Sequence, residues 1–325
     1  MNLTGSRVMV TGGAGFIGSH LTERLLEMGS HVTVFDRFDR FYEGKEANLA
    51  TASKSPLFRL IDGDILDPDR LDSAMKDIDV VFHEAGQAGV GFSIENPHAT
   101  YEVNVEGTLN VLWSARRKGV KRFVNASSSS IFGKPDYLPI DESHPTHPTS
   151  PYGVSKLAAE QYVKVFHRVY GMNAVSLRYF SVYGPRGRPD QVIHRFTESL
   201  AHNRPPLING DGSHTRDFTH VSDVVAATIS AAEREGMGGE VFNIGFGKRT
   251  SISELAEKLI VLTGHQGKVR PTHGEESKGD FPDTQADNRK AQKLLGWKPK
   301  VSLDRGLKDY VGWYKESREV AGKVA

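Results

Sequence analysis

The segment VMVTGGAGFIGSHLTERLL, residues 8–26, joins a short apolar run to an amphipathic stretch through glycines spaced GxxGxxG. Gly12 permits a tight turn, Gly15 lets the backbone approach an anion, and Gly18 allows close packing of a helix on a strand. The helix N-terminus adds unpaired N–H groups and the positive end of its dipole. The segment therefore predicts a strand–turn–helix unit that binds a pyrophosphate; the alternative is a glycine-rich turn without a ligand. The residues predicted to face the ligand are Gly12, Gly15, Phe16, Ile17 and Gly18.

The same alternation of short apolar runs and helical patterns continues through the first 180 residues of the 325-residue chain. Strands that alternate with helices predict an α/β fold with a parallel sheet covered on both faces. We predict a nucleotide-binding core over residues 1–180, to which segments near 214–250 return, and a smaller lobe over residues 181–325. The predicted strands are Arg7–Val10, His31–Phe35, Leu57–Ile61, Val80–His83, Arg122–Ala126, Ala174–Arg178 and Glu240–Ile244. The predicted helices are Gly15–Glu27, Asp69–Lys76, Ala99–Lys118, Tyr152–Tyr170, Ser222–Arg234, Ile252–Leu262 and Asp287–Leu295.

The composition excludes several classes of protein. Lys and Arg number 41 against 40 Asp and Glu, so no basic surface for nucleic acid or an acidic membrane is expected. The absence of cysteine excludes disulfides and thiolate chemistry. His144 and His147 lie in a proline-rich segment that favours a solvated loop, and no metal site is predicted. With no apolar signal segment and no run of about 20 apolar residues, we expect a cytoplasmic protein.

The second predicted strand ends at Asp36, eighteen residues after Gly18. A carboxylate at this position accepts hydrogen bonds from the ribose hydroxyls of an adenosine and repels a 2′-phosphate, which favours NAD over NADP. The neighbouring Arg37 is an argument for NADP, since an arginine suits that phosphate. Asp64 and Ile65 follow the third strand, where they would border the adenine. For Asp64 the alternative is a turn or a helix cap.

Tyr152 and Lys156 stand four residues apart in a predicted helix and therefore on one face of it. A tyrosine has a pKa near 10, but an adjacent ammonium and a positively charged nicotinamide favour its phenolate, which is a usable base. The run Ser127–Ser130 follows a predicted strand, where open α/β sheets bind ligands. One of these hydroxyls could bond a reacting oxygen. The alternative is a surface tyrosine and lysine without any chemistry.

Taken together, seven motifs resemble those of the extended short-chain dehydrogenase/reductase family, within it the nucleotide-sugar epimerases and dehydratases. The resemblance implies a Rossmann-type doubly wound sheet, tightly held NAD and a C-terminal lobe that binds a UDP- or dTDP-sugar. It implies Tyr152, Lys156 and Ser128 as catalytic residues. It also implies a homodimer formed through helices Ala99–Lys118 and Tyr152–Tyr170; the alternative is that each helix only covers its own sheet. The motifs are GGAGFIG, DGDILD, HEAGQAG, SSSSIFG, YGVSK, RYFSVYGPR and GDGSHTRDF, and the resemblance covers residues 7 to about 300, nearly the entire chain.

Further positions match substrate contacts of that family. Arg216 matches an arginine that binds the pyrophosphate, with a surface arginine as the alternative. Asp280 matches an aspartate near the nucleotide ribose, and a structural cap is its alternative. Arg188, in GRPD, matches an arginine that meets a sugar carboxylate; the alternative is a loop arginine that faces solvent or pairs with Asp190. Ser129 is predicted to contact the sugar beside Ser128.

The reaction class is predicted from positions where this chain lacks the acidic residues that related enzymes carry. Dehydratases of the family carry Asp-Glu where this chain has Ser129 and Ser130, and UDP-glucuronate decarboxylases carry Glu in place of Ser130. A 4-epimerase needs neither acid. We predict a UDP-glucose/UDP-galactose 4-epimerase, because Gly91 replaces an arginine usual in the UDP-glucuronate 4-epimerases. The alternatives are UDP-glucuronate 4-epimerase, an NAD-dependent dehydrogenase or reductase of a nucleotide-sugar, and a non-catalytic NAD-sensing protein, which would generally lack the Tyr–Lys pair.

Overall fold

Strands and helices alternate along the chain in a computed structural model that describes residues 1–39, 41–276, 279 and 282–324, with side chains to residue 318. The predicted site residue Asp280 lies outside the described residues. No helix of the described ranges has the length and apolar character needed to cross a bilayer, and the cytoplasmic location stays a prediction. The strands are β1 Arg7–Thr11, β2 His31–Asp36, β3 Phe58–Asp62, β4 Val80–His83, β5 Arg122–Ser128, β6 Ala174–Tyr179, β7 Val182–Tyr183, β8 Leu207–Asn209, β9 Thr215–Arg216, β10 Thr219–His220, β11 Val241–Ile244, β12 Thr250–Ser251 and β13 Thr272–Gly274. The helices are α1 Phe16–Glu27, α2 Lys45–Asn48, α3 Pro68–Ala74, α4 Val90–Glu95, α5 Pro97–Tyr101, α6 Gly107–Arg117, α7 Pro151–Tyr170, α8 Val192–Ala201, α9 Val221–Glu233, α10 Ile252–Leu262, α11 Arg289–Leu295 and α12 Leu303–Val324.

The central sheet, as far as the described residues define it, has seven parallel strands in the order β3-β2-β1-β4-β5-β6-β11. The chain builds outward from β1 to β3 and then restarts at β4 on the other side of β1. The strand order therefore reverses between β1 and β4, which leaves a crevice at their carboxyl ends. The predicted α/β, doubly wound fold is confirmed.

Alternating side chains of each inner strand enter two apolar layers. In β1, Val8 and Val10 pack towards α1 and α9, whereas Met9 packs on the opposite face with residues of α3, α6 and α7. The third strand is present as predicted, but the prediction that it is buried was wrong. β3 is an edge strand of the sheet that the described residues define, and its Leu60 is 44% exposed.

The predicted helix Ala99–Lys118 is divided into α5, a π-helical turn Glu102–Glu106 and α6. The wider turn carries Asn104, whose side chain bonds the backbone N–H and C=O of Gln87 at 2.7 and 3.0 Å. A helix pattern cannot reveal this change, because the hydrophobic period before and after the turn is nearly the same. The turn connects the loop after β4 to the helical layer.

The C-terminal lobe has a core of its own, built from residues of α8, β8, α10 and α12. Of these, only α10 was predicted; α8, β8 and α12 were not. Within the segment expected to return to the first core, α9 contacts α1 and β11 pairs with β6. The boundary near residue 180 stays a prediction.

Gly18→Ala should destabilise the protein, because a Cβ on Gly18 would lie 2.2 Å from the carbonyl oxygen of Gly12. We expect a loss of roughly 1–3 kcal/mol in the free energy of unfolding, as for other overpacked positions. Gly312→Ala is the control: the same change in helix α12, with nothing within 4 Å, should stabilise by about 0.5–1 kcal/mol. Thermal denaturation would measure both, and an unchanged melting temperature for Gly18→Ala would contradict the close packing.

Candidate active site at the reversal of the sheet

A cleft of about 1050 Å³ opens at the carboxyl ends of β1, β2, β4 and β5, at the reversal of strand order. A second cavity of about 1190 Å³ lies between this end of the sheet and the C-terminal lobe. Tyr152 and Arg188 line both. The cleft and the second cavity are therefore adjacent, and the predicted base lies at their boundary.

The glycine loop forms the floor of the cleft. Gly12 has φ +70°, and a Cβ on it would lie 2.6 Å from the backbone nitrogen of Ala85 on the neighbouring connection. Gly15 caps α1 without any side-chain hydrogen bond. The first-turn N–H groups of α1 thus remain available to an anion. All the residues predicted from the glycine motif line the cleft, namely Gly12, Gly15, Phe16, Ile17 and Gly18.

Tyr42 faces the glycine loop from the segment after β2. Its hydroxyl oxygen lies 3.9 Å from the position that a Cβ on Gly15 would take, and it has no hydrogen-bond partner among the described residues. Burial raises the pKa of Tyr42 to about 12, so the phenol keeps its hydrogen. An unpartnered donor beside a helix N-terminus fits a phosphate group. The sequence analysis missed this residue, which carries no motif.

Asp36 ends β2 and lines the cleft, as predicted. Its carboxylate accepts hydrogen bonds from the backbone N–H groups of Ala14 at 3.0 Å and Phe38 at 2.9 Å. Burial raises the pKa of Asp36, and the two hydrogen bonds partly oppose that rise. The carboxylate therefore links the glycine loop to the end of β2, and its bond to a ribose stays a prediction.

Arg37, the residue that argued for NADP, forms ion pairs with two aspartates. Its guanidinium lies 2.9 Å from Asp64 and 3.7 Å from Asp39. Asp64 lines the cleft with Ile65, and it also accepts the N–H of Leu66 at 2.9 Å, so the turn proposed as its alternative is present too. Because carboxylates already balance Arg37, the cleft fits a dinucleotide without a 2′-phosphate.

The Tyr–Lys pair is fixed by the start of α7. The side chain of Ser150 caps this helix by accepting the N–H of Gly153, and the prolyl residue that follows the cap suits the first helical position. Lys156 is buried, and its Nζ donates to the carbonyl of Ala126 at 2.9 Å. Tyr152, one helical turn earlier, and Lys156 both line the cleft. The structure therefore brings the two predicted residues to one site.

The serine run divides between the two cavities. Ser127 lines the cleft, but its hydroxyl donates to Glu160 at 3.1 Å; Ser130 lines the second cavity. Ser128 and Ser129 are buried, and neither is among the residues that line the two cavities. The Ser128 oxygen accepts the N–H of Ser130 at 3.1 Å, and its own hydrogen has no acceptor within the described parts of the chain. Ser128 thus keeps a hydrogen that it could donate, and its catalytic role stays a prediction.

Behind the serines lies a buried ion pair. Arg178 of β6 donates to both carboxylate oxygens of Glu160 at 2.9 and 2.8 Å, and Lys164 lies 3.0 Å away. Burial alone would raise the pKa of Glu160, but the hydrogen bonds and the charge of Arg178 outweigh it, and the pKa is lowered. A fully bonded carboxylate of this kind fixes its partners. Through Ser127 it positions the end of β5.

The predicted substrate residues are held by other protein groups. Arg216 lines the second cavity, and its Nη1 donates to the carbonyls of Thr215 at 2.8 Å and Pro282 at 3.2 Å. Arg188 forms a bidentate pair with Asp190 at 2.9 and 3.0 Å, which is the alternative given above. Arg188 is nonetheless among the residues that line both cavities.

Arg186, two residues before Arg188, links the loop of the GPRGRPD segment to α1. Its Nη1 donates to Glu23 at 3.1 Å and to the carbonyl of Asn48 at 3.0 Å, and its Nη2 donates to His20 Nδ1 at 3.1 Å. Burial and Arg186 lower the pKa of His20 to about 4, so the ring is neutral and can accept this bond. Sequence analysis missed Arg186 because its partners lie more than a hundred residues away.

Comparison with known proteins agrees with this geometry. The sequence matches the NAD dependent epimerase/dehydratase family over residues 8–245. A UDP-glucuronate 4-epimerase of Thermodesulfobacterium geofontis is 38% identical, over 97% of this chain and 98% of the relative. A UDP-glucose 4-epimerase of Mycolicibacterium smegmatis is 36% identical, over 96% of this chain and 100% of the relative. The crystal structure of UDP-glucuronic acid 4-epimerase from Bacillus cereus with UDP-glucuronic acid and NAD superposes with a TM-score of 0.91 at 35% identity, covering 96% of this chain and 99% of that one.

Fold and site together define an enzyme of the Rossmann type that works on a dinucleotide cofactor. The chain belongs to the NAD dependent epimerase/dehydratase family. The predictions of the family, of NAD as cofactor and of an isomerase-type enzyme are thereby confirmed. Its relatives carry the names of both UDP-glucose and UDP-glucuronate epimerases, so the names do not choose a sugar.

Arg186→Ala should weaken retention of NAD, because it removes the contacts between the loop before Arg188 and the helix under the cofactor cleft. Charge-assisted hydrogen bonds of this kind contribute about 1.5–3 kcal/mol, so we expect dissociation of NAD to accelerate about tenfold or more. The measurement is the NAD that remains bound after repeated desalting. Arg24→Ala is the control, since it removes only an exposed pair with Glu27 on the same helix; equal retention by both variants would refute the role of Arg186.

Proposed function

We propose that this chain is a UDP-sugar 4-epimerase whose substrate pair is UDP-glucose and UDP-galactose. The observation that carries the proposal is the position of Tyr152 at the boundary of the two cavities, one helical turn from the buried Lys156. A phenol placed between a cofactor cleft and a substrate cavity can exchange a proton with a substrate hydroxyl. The second cavity, with Arg216 in its wall, would hold the nucleotide-sugar.

The side chains divide the work as follows. Tyr152 takes the proton of the C4 hydroxyl, and Ser128 donates a hydrogen bond to the reacting oxygen. NAD, when bound, would supply reversible hydride acceptance at C4. Rotation of the flat 4-keto sugar about its pyrophosphate link would present its other face, and Tyr152 would then return the proton to the C4 oxygen. The glycine loop, Tyr42 and Asp36 would hold the cofactor throughout.

The residues beside Ser128 argue against elimination. Loss of water from a sugar needs an acid and a base close to the reacting carbons. At the two positions that carry such acids in dehydratases, this chain has Ser129, which is buried, and Ser130, which lines the second cavity. A serine hydroxyl is a poor proton donor by comparison. Oxidation and re-reduction at C4, without loss of water, is therefore favoured over dehydration.

The surroundings of Arg188 support a neutral sugar. Asp190 already engages the guanidinium through two hydrogen bonds, so the pair carries no net charge before a substrate enters. Gly91, where related uronate enzymes have arginine, contributes no second cation. UDP-glucuronate is the other candidate, because Arg188 still lines both cavities and could turn towards a carboxylate.

Incubation of the purified protein with UDP-glucose, UDP-glucuronate or UDP-N-acetylglucosamine, without added cofactor, tests this function. We expect UDP-galactose from UDP-glucose and no net NADH. Tyr152→Phe should lower turnover at least about a hundredfold, as expected for loss of a general base, and leave UDP binding unchanged. Tyr137→Phe, which removes an exposed phenol in a distant loop, should turn over normally.

Three results would count against the proposal. Net NADH formation would indicate a dehydrogenase, and conversion of UDP-glucuronate alone would move the substrate to the uronate. Normal turnover of Tyr152→Phe would remove the phenol from the mechanism.

A homodimer is also proposed, on the evidence of an apolar face formed by α6 and α7. Val154, Tyr162, Val165 and Val169 of α7 are each at least 37% exposed and recur at helical spacing. Trp113 of α6 lies beside them and is 40% exposed. Exposed apolar patches of this kind are typical of protein–protein contacts, and two copies of the helix pair would form the four-helix interface expected from the family.

Val165→Glu should convert the dimer to a monomer, because each copy of the charge would be buried in the interface at a cost of several kcal/mol. Light scattering after size-exclusion chromatography would measure the mass in solution. Val261→Glu makes the same change at a 56% exposed site on α10, in the other lobe, and should leave the mass unchanged. Identical masses for both variants would show that α7 does not form the interface.

A further inference from the structure

Glu84 follows the carboxyl end of β4, within the HEAGQAG motif, and lines the cofactor cleft. The phenol of Tyr179, on β6, donates to its carboxylate at 2.8 Å and lies 2.8 Å from the hydroxyl of Thr228. The mechanism above assigns Glu84 no role. Glu84 therefore places a carboxyl group, held by a buried phenol, in the wall of the cofactor cleft, where it has no assigned function.

Glu84 lies at the catalytic end of the cleft. The other acids that line the cleft within the described residues follow β2 and β3, on the far side of β1; they are Asp36, Asp39 and Asp64. Glu84, by contrast, shares the near side with Tyr152 and Lys156. The nicotinamide must lie on that side if Tyr152 is to act on the same sugar carbon. Glu84 is therefore the acid closest to the reacting end of the cofactor.

The charge of Glu84 changes near neutral pH. Burial raises its pKa to about 7, against the opposing effects of the Tyr179 hydrogen bond and of Lys156. Among the described residues, Tyr179 on β6 and Lys156 on α7 act on Glu84, and α9 contributes the uncharged Thr228 to the same network. Tyr152 lines the same cleft, and His83, the preceding residue on β4, bonds Thr11 and Thr108. Burial lowers the pKa of His83 to about 3, so His83 stays neutral as Glu84 titrates.

We propose that Glu84 sets the balance between oxidised and reduced NAD in this site, its carboxylate favouring the oxidised form. The inference rests on the proposed function. A nicotinamide carries a positive charge when oxidised and none when reduced, so a nearby carboxylate in a poorly solvated cleft stabilises the oxidised state. Transfer of hydride from C4 is then disfavoured and its return is favoured. The keto sugar stays scarce, and each cycle ends with oxidised NAD, which an epimerase requires.

The sign of the pH effect follows from linkage. Above the pKa of Glu84 the carboxylate is charged and the preference for oxidised NAD is strong; below that pKa the acid is neutral and the preference weakens. Glu84→Gln keeps the shape of the side chain and an acceptor for Tyr179 but carries no charge at any pH. The variant should therefore behave at every pH as the wild-type protein does at low pH.

The experiment omits the sugar. Protein is equilibrated with mixtures of NAD and NADH in fixed ratios between about pH 6 and about pH 9, a range that brackets the transition. The bound reduced fraction is then read from near-ultraviolet absorbance after desalting. We expect the wild-type preference for oxidised NAD to rise about tenfold across this range, and that of Glu84→Gln to stay flat. Tyr179→Phe, which loses the bond to the carboxylate, should shift the midpoint of the wild-type curve to higher pH.

A matched control isolates the carboxylate. The rise should persist in Glu46→Gln, which neutralises an exposed acid on α2. A flat wild-type curve, or a rise that survives in Glu84→Gln, would overturn the proposal. The wild-type curve needs no variant, so the test stands even if Glu84→Gln folds poorly. Since no sugar is added, a failure to interconvert UDP-sugars would reject the proposed function without altering this result.

Discussion

The site depends on the close approach of two backbone segments, the turn after β1 and the connection after β4. Gly12 can contact Ala85 only because it lacks a side chain and adopts a positive φ. That contact sets the width of the crevice and aims the N-terminus of α1 into it. Asp36 then lies on one side of the crevice and Lys156 on the other, so the sheet itself sets the spacing between the acid predicted to bind ribose and the predicted catalytic pair.

Within this frame, most charges of the cleft are paired before any ligand enters. Desolvated ions require partners, and each arginine around the cleft has an acid within hydrogen-bonding distance. Among the described residues, the Tyr42 hydroxyl and the first turn of α1 are neutral donors that suit phosphate oxygens. Two acids of the cleft accept hydrogen bonds from groups other than cations: Asp36 from backbone N–H groups and Glu84 from the phenol of Tyr179. The paired charges are Arg37 with Asp64, Arg186 with Glu23, Arg188 with Asp190 and Glu160 with Arg178.

The sequence predicts those parts of the site whose residues are close together along the chain, because their spacing fixes their relative positions. The glycine loop and the pair Tyr152–Lys156 each lie within one turn of a helix or one connection, so a short motif fixes their geometry. Contacts between distant segments carry no such signature. Glu84 and Tyr179 are 95 residues apart and Arg186 and Glu23 are 163 apart. The exposure of β3 could not be predicted either, because the composition of a strand does not show whether it takes an edge or an inner position in the sheet.

A Tyr–Lys pair on this fold can run either a dehydrogenase or an epimerase, so the difference must come from the treatment of the cofactor. An epimerase has to keep the cofactor bound and has to recover its oxidised form. The contacts of Arg186 act on the first requirement, which is a matter of dissociation rate. The charge of Glu84 acts on the second, which is a matter of equilibrium. Neither replaces the other: a retained but reduced cofactor stops the cycle, and an oxidised but exchangeable one allows the keto sugar to escape.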